Sequence, residues 1–193
     1  MADFDKALTP VLGHEGGYVN DPDDLGGETY KGVARRFNAS WPGWRRIDQA
    51  ERQRGFPARL DRDSVLQGQV RTFYKQHYWD KFQGDAIANQ DVADELFDTA
   101  VNLGVARAVT FLQRALNVLN RNATLYPDLV EDGVFGPRSL TAIGAYLDRD
   151  APAHLLKVLN ILQGMHYIEF MTRSPEQEKF ARGWLKRVKI TVT

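Results

Sequence analysis

The chain has 193 residues, 43% of them apolar and 26% charged, and its 25 basic residues balance 25 acidic ones. That length suits one domain or two closely packed lobes. The even balance speaks against a dedicated nucleic-acid binder, which carries a basic excess or stripe. Cysteine is absent, which removes disulfides, thiolate metal sites and cysteine nucleophiles.

Met1-Ala2-Asp3-Phe4-Asp5-Lys6 begins with charges and holds no apolar run of signal-peptide length, and no stretch approaches a membrane span. The expectation is a protein made in the cytoplasm without a cleavable signal peptide and without stable membrane insertion. Phe4, Leu8, Val11 and Leu12 recur at helical spacing, predicting a first helix from Asp3 to about His14 that Gly16-Gly17 stop. Pro10 argues for a kink or a later start. Tyr18-Val19 and Thr29 to Val33 read as short strands of a hairpin with a long loop. Residues Phe37 to Arg62 read as an irregular insertion with some helix.

From about Asp63 the pattern turns helical. Leu66, Val70, Phe73, Tyr74 and Tyr78 mark a helix ending near Trp79, and Val92 to Val101 mark another ending at Gly104. A third runs from Val105 to Leu119. Asp132-Gly133 makes a turn, and Pro137 is placed to open a helix reaching Leu147. A long helix follows from about Ala153 to Met171, and a last one starts near Pro175 and carries Phe180, Trp184 and Val188.

Glu15 ends the first helical pattern and opens a run, Glu15-Gly16-Gly17-Tyr18 to Asp24-Leu25-Gly26-Gly27-Glu28-Thr29, with one carboxyl at a helix end and others on a turn. Partial negative charge at a helix C-terminus raises the pKa of a nearby carboxyl, as burial against Tyr18 would. A proton held near neutral pH suits a general acid for a glycosidic oxygen. The plain alternative is a solvated glutamate before a glycine cap. Asp21 and Asp23 read as turn-builders. Asp24 lies nearest the return strand, where its carboxylate and the Thr29 hydroxyl together suit a water-holding pair. Inverting hydrolysis places such a carboxylate about 6.5–9.5 Å from the acid. An EF-hand fails on Leu25 and Gly32, which stand where ligands are needed.

His14-Glu15-Gly16-Gly17-Tyr18 through Glu28-Thr29 closely resembles the signature of glycoside hydrolase family 108, N-acetylmuramidases of phage endolysins and related bacterial proteins. The resemblance continues through Tyr78-Trp79-Asp80, Phe97 to Gly104 and Leu112 to Leu116. It then reaches Asp132 to Pro137, similar to the family's peptidoglycan-binding half, and Gly183-Trp184. It implies a mainly α, lysozyme-like bilobal fold (α+β) with a small β-hairpin near the N-terminus. It implies that Glu15 is the catalytic glutamate and that Asp24 and Thr29 are its partners, Thr29 falling one residue earlier than in phage-type lysozymes.

Further candidates rest on position. Asp98 and Asn102 share a helix face and line a cleft or close a polar stripe; the resemblance favours the cleft. Trp41 and Trp44, in a Pro/Gly loop, are sugar platforms, whereas Trp79 and Trp184 belong to apolar patterns. Tyr18 completes the substrate-binding set. Arg35, Arg36, Arg45 and Arg46 attract an acidic polymer or are solvated. No metal-ligand spacing, phosphate loop or dinucleotide fingerprint occurs, so no metal or cofactor is expected.

The expectation is therefore a peptidoglycan hydrolase cleaving the β-1,4 bond between N-acetylmuramic acid and N-acetylglucosamine. Its catalytic region spans 1–90 and its peptidoglycan-binding half 91–193. It acts as a monomer on wall glycan strands, after holin-dependent or secretion-system-dependent release. The rival readings are a lytic transglycosylase and a non-catalytic peptidoglycan-binding module.

Overall fold

The helical periodicity folds as it reads. A computed structural model describes residues 1–14, 16–20 and 27–189, with the side chain of His14 outside that set. Among them are eight α-helices and one small sheet: α1 (Phe4–His14), β1 (Tyr18–Val19), β2 (Thr29–Tyr30), β3 (Val33–Ala34), α2 (Gly43–Glu51), α3 (Ser64–His77), α4 (Gln90–Leu103), α5 (Val105–Leu119), α6 (Pro137–Leu147), α7 (Pro152–Arg173) and α8 (Ala181–Leu185). The protein is mainly α with a small β element near the N-terminus. Short 3-10 turns cover Ala58–Arg62, Trp79–Phe82, Gly84–Ala86 and Pro175–Phe180. α1 runs through Pro10 rather than starting after it.

The chain forms two compact units, one of residues 8–77 and the other of residues 1–7 and 78–193. In the first, the sheet is antiparallel in the order β1-β2-β3. The predicted hairpin holds one strand more than its pattern suggested. Lys31 and Gly32 take positive φ values of 43° and 75°, making the tight primed turn that joins β2 to β3. Tyr18, Tyr30 and Val33 are register partners on one face, and Val19, Thr29 and Ala34 on the other. Tyr30 and Val33 are buried; Thr29 is on the more open face. Asp63 caps α3, its Oδ1 accepting from the amides of Val65 and Leu66. The Phe37 to Arg62 insertion, read as largely irregular, contains α2, whose Trp44 and Ile47 join Leu60, Leu66, Val70 and Tyr74 in the core.

In the second unit, the Phe4 ring lies 5.5 Å from Trp79 and 5.7 Å from Phe97, so the first residues are held by an aromatic cluster. α4 starts at an Asn89 cap accepting from the Val92 amide. It ends at Gly104, whose φ of 89° turns the chain directly into α5. α4, α5 and α7 pack against one another. Gln113 on α5 orders the Asp132-Gly133 turn by donating to Asp132 Oδ1 and accepting from the Gly133 amide.

Candidate active site

α1 ends at His14, so the predicted acid is the next residue along the chain. Glu15 and Asp24 themselves lie outside the described residues, as do Asp21 and Asp23. What the structure describes is the ground on either side of them.

Gly17 accepts the Lys31 amide through its carbonyl, and Tyr18 opens β1 beside Tyr30. The Tyr18 hydroxyl meets two carboxylates, Glu51 Oε1 at 2.9 Å and Glu28 Oε1 at 3.1 Å, which share its single proton. Burial, then the hydrogen bond to Glu51, holds its pKa well above the usual phenol range. The Phe56 ring packs edge-on against it at 4.7 Å. Glu28 is further held by Arg35, whose Nη1 donates to Glu28 Oε2 at 2.6 Å. The same guanidinium grips Asp48 with two bonds of 2.8 and 2.7 Å and lies 4.9 Å above the Trp44 ring. Three carboxylates thus gather around one arginine and one phenol, the phenol standing three residues after the predicted acid in sequence. The Thr29 hydroxyl donates to the Gly27 carbonyl at 3.2 Å, so it can meet a further partner only as an acceptor.

Sequence reasoning missed Glu28, Glu51 and Asp48. The Tyr18 to Glu28 contact spans the Asp-rich loop, and only the β1–β2 pairing brings its ends together. The arginines divide as well: Arg35 and Arg46 are spent on carboxylates, the latter on Asp63 at 2.7 Å.

The two loop tryptophans are not exposed platforms. Trp44 is 2% exposed and donates to the Asn38 carbonyl. Trp41 is 8% exposed and stands edge-on to it. Gly43 permits this packing, since a Cβ there would lie 2.2 Å from the Trp41 ring. The exposed aromatic of this region is Phe37, 72% accessible, on a cavity of about 660 Å³ that Trp41, Val65, Gln69 and His77 also line.

Asp98 and Asn102 share a face of α4 but do different things. Asp98 is turned to an internal network, Oδ1 accepting from Arg187 at 2.6 Å and Oδ2 lying 3.5 Å from Gln163 Nε2. Asn102 donates to the Asp98 backbone carbonyl and lines a separate pocket with Leu103 and Trp184. Beneath them Glu95 is buried, its carboxyl pushed up to about 7 by burial first and then by the Asp98 charge. Among the described residues no cluster of His, Asp and Glu is placed to hold a metal ion.

The model of the family described as Glycosyl hydrolase 108 matches residues 8–104, just over half of the chain. The protein belongs to the glycosyl hydrolase 108 family. A second model, described as Predicted Peptidoglycan domain, matches residues 107–189. Together they make this glycosyl hydrolase 108 protein a glycoside hydrolase acting on peptidoglycan, and so at the cell wall. Among solved structures, that of Brucella abortus SagA is similar with a TM-score of 0.64 and 25% identity, over 96% of this chain and 88% of that one. No curated protein matches the chain. Among the described residues no helix is long and apolar enough to cross a membrane.

Proposed function

We propose that the protein is an N-acetylmuramidase that hydrolyses the β-1,4 bond between N-acetylmuramic acid and N-acetylglucosamine. The observation that carries this reading is the place of Glu15-Gly16-Gly17-Tyr18 within the glycosyl hydrolase 108 match. Its glutamate directly follows α1, and its tyrosine is fixed in β1 among the carboxylates of Glu28 and Glu51. A position directly after a helix C-terminus favours the protonated form of a carboxyl. Glu15 gives its proton to the leaving oxygen as the glycosidic bond breaks. Asp24 takes a proton from the attacking water or stabilises the oxocarbenium-like charge. Thr29, with its own proton committed to the Gly27 carbonyl, accepts a hydrogen from that water and aims its lone pair at the sugar.

In this reading residues 1–90 carry the chemistry and residues 91–193 hold the wall. The protein works as a monomeric endolysin released through a holin pore, or as a wall-lytic effector delivered by a secretion system. The test is mass spectrometry of fragments released from purified Gram-negative sacculi by the wild type and by Glu15→Gln. Reducing muramic acid ends from the wild type, falling by about 100-fold or more in the variant, are the expected result. Anhydro-muramic ends would make the enzyme a transglycosylase, and binding without release would leave only a wall-binding module.

A further inference from the structure

The second compact unit carries a pocket that the catalytic reading does not use. It has a volume of about 520 Å³ and lies between the end of α4, the start of α5, α7 and α8. One wall is aromatic: Trp184 stacks on Tyr167 at 5.4 Å and 19°, and Phe170 lies 5.8 Å from Trp184. Arg107 and Arg173 also line the pocket, together with Ser174 and Asn102.

The state of those two arginines is what decides the ligand. Arg35, Arg46, Arg114, Arg121 and Arg187 are each held by a carboxylate within 2.8 Å. Among the described residues, Arg107 and Arg173 have no such partner. Arg107 Nη1 lies 3.2 Å from His166 Nε2, and burial followed by the Arg107 charge lowers the His166 pKa, so a neutral imidazole accepts the Arg107 proton. Arg173 donates through Nε to the Glu169 backbone carbonyl at 3.2 Å, which orients its two terminal nitrogens without neutralising them. Both guanidiniums are exposed beside an aromatic wall in a chain of zero net charge.

We infer that this pocket is a subsite for the peptide stem of peptidoglycan, with a stem carboxylate between Arg107 and Arg173 and the adjoining apolar part of the stem against Phe170 and Trp184. Neutral sugar would use the aromatic wall and leave both cations unanswered. A carboxylate-bearing peptide answers both, since guanidinium and carboxylate form paired, charge-assisted bonds. The pocket falls within the stretch that matches the Predicted Peptidoglycan domain model and the residues just before it. The inference rests on the wall-acting reading but not on Glu15 or on the bond cleaved.

The experiment is isothermal titration of the full chain with three probes: a disaccharide-tetrapeptide, a neutral peptide-free disaccharide of N-acetylglucosamine, and the free tetrapeptide. The wild type is expected to bind the first, to bind the second about tenfold or more weakly, and to let the third compete with the first. Arg107→Gln and Arg173→Gln are each expected to weaken the disaccharide-tetrapeptide about tenfold, and Arg173→Lys to recover part of the loss. Equal affinity for the peptide-free disaccharide, failure of the tetrapeptide to compete, or unaltered binding by both glutamine variants would each overturn the assignment. A wild type that releases reducing ends from sacculi yet ignores the tetrapeptide would overturn the pocket alone. One that binds the tetrapeptide and releases nothing would overturn the catalytic reading alone.

Discussion

Arg187 donates to Asp98 at 2.6 Å, tying the C-terminal segment to α4 across 89 residues of sequence. The two side chains are 16% and 24% exposed, so the pair is shielded enough for its loss to register. Arg187→Gln or Asp98→Asn is expected to cost about 1–3 kcal/mol, because either leaves a charged group without its partner. The double variant should cost less than the two single losses added. Urea unfolding of all four proteins checks this, and additive losses would show that the pair is not coupled.

Stability should fall as pH rises through neutrality, and Glu95 is the cause. Its folded pKa of about 7 lies above the ordinary glutamate value of 4.5, through burial and the Asp98 charge, with Asn160, Lys189 and Thr99 opposing. A carboxyl held above its unfolded value contributes its full stability below about pH 4.5 and loses it as pH rises through about 7. The loss is about 3 kcal/mol from the two values. Glu95→Gln is expected to flatten the melting-temperature profile between pH 5 and 8 and to be the more stable protein at pH 8. Parallel profiles for the two proteins would rule this out.

Tyr18→Phe tests the phenol between two carboxylates. Arg35 still holds Glu28 in that variant, while Glu51 loses its partner. The expected cost is about 1 kcal/mol in stability and about a tenfold or smaller loss of rate on sacculi, the scale of one hydrogen bond. Because the phenol is protonated throughout the neutral range, the alkaline limb of the pH–rate profile should not move. A variant as inactive as Glu15→Gln would instead make Tyr18 a reacting group.

Gly133 is a fourth probe, this time of the turn before α6. Its φ is +72°, and a Cβ there would lie 2.7 Å from the Ala106 carbonyl oxygen. Gly133→Ala therefore meets both left-handed strain and a backbone clash, an expected loss of about 2 kcal/mol or more. Thermal unfolding measures it. Gly183→Ala, with nothing within 4 Å of its added methyl, is the control that should change little.

Periodicity carried the helices because each apolar stripe had its own stop. Gly104 separates α4 from α5, and Pro137 opens α6 where its fixed φ fits. The third strand escaped notice because Lys31-Gly32 lacks the asparagine or aspartate that usually announces a primed turn. Trp41 and Trp44 looked exposed beside Pro42 and Gly43, yet it is the missing Cβ of Gly43 that lets the Trp41 ring fold inward. Asp98 read as a cleft residue because its partner Arg187 is too far along the chain for any local pattern to reveal. Glu95 shared a helical face with Val92 and Leu96, a pattern that describes burial but not the charge trapped by it. Of the expected catalytic groups only Thr29 lies among the described residues, so the chemistry assigned to Glu15 and Asp24 comes from motif and family, not from distances.

The boundary between the two family matches falls at residues 104–107, where α4 turns into α5, and those helices bury Leu96, Phe97, Ala100, Val109 and Leu112. A cut there would open an apolar seam on both products. Residues 1–7 belong with the later part of the chain and not with 8–77, so the front unit is spliced into its neighbour as a guest between two host segments. The stretch that matches the Predicted Peptidoglycan domain model is consequently no portable cassette. Anyone grafting it onto another lytic enzyme must carry α4 and the opening heptad along with it, and lineages that recombine such enzymes would have to exchange the host whole.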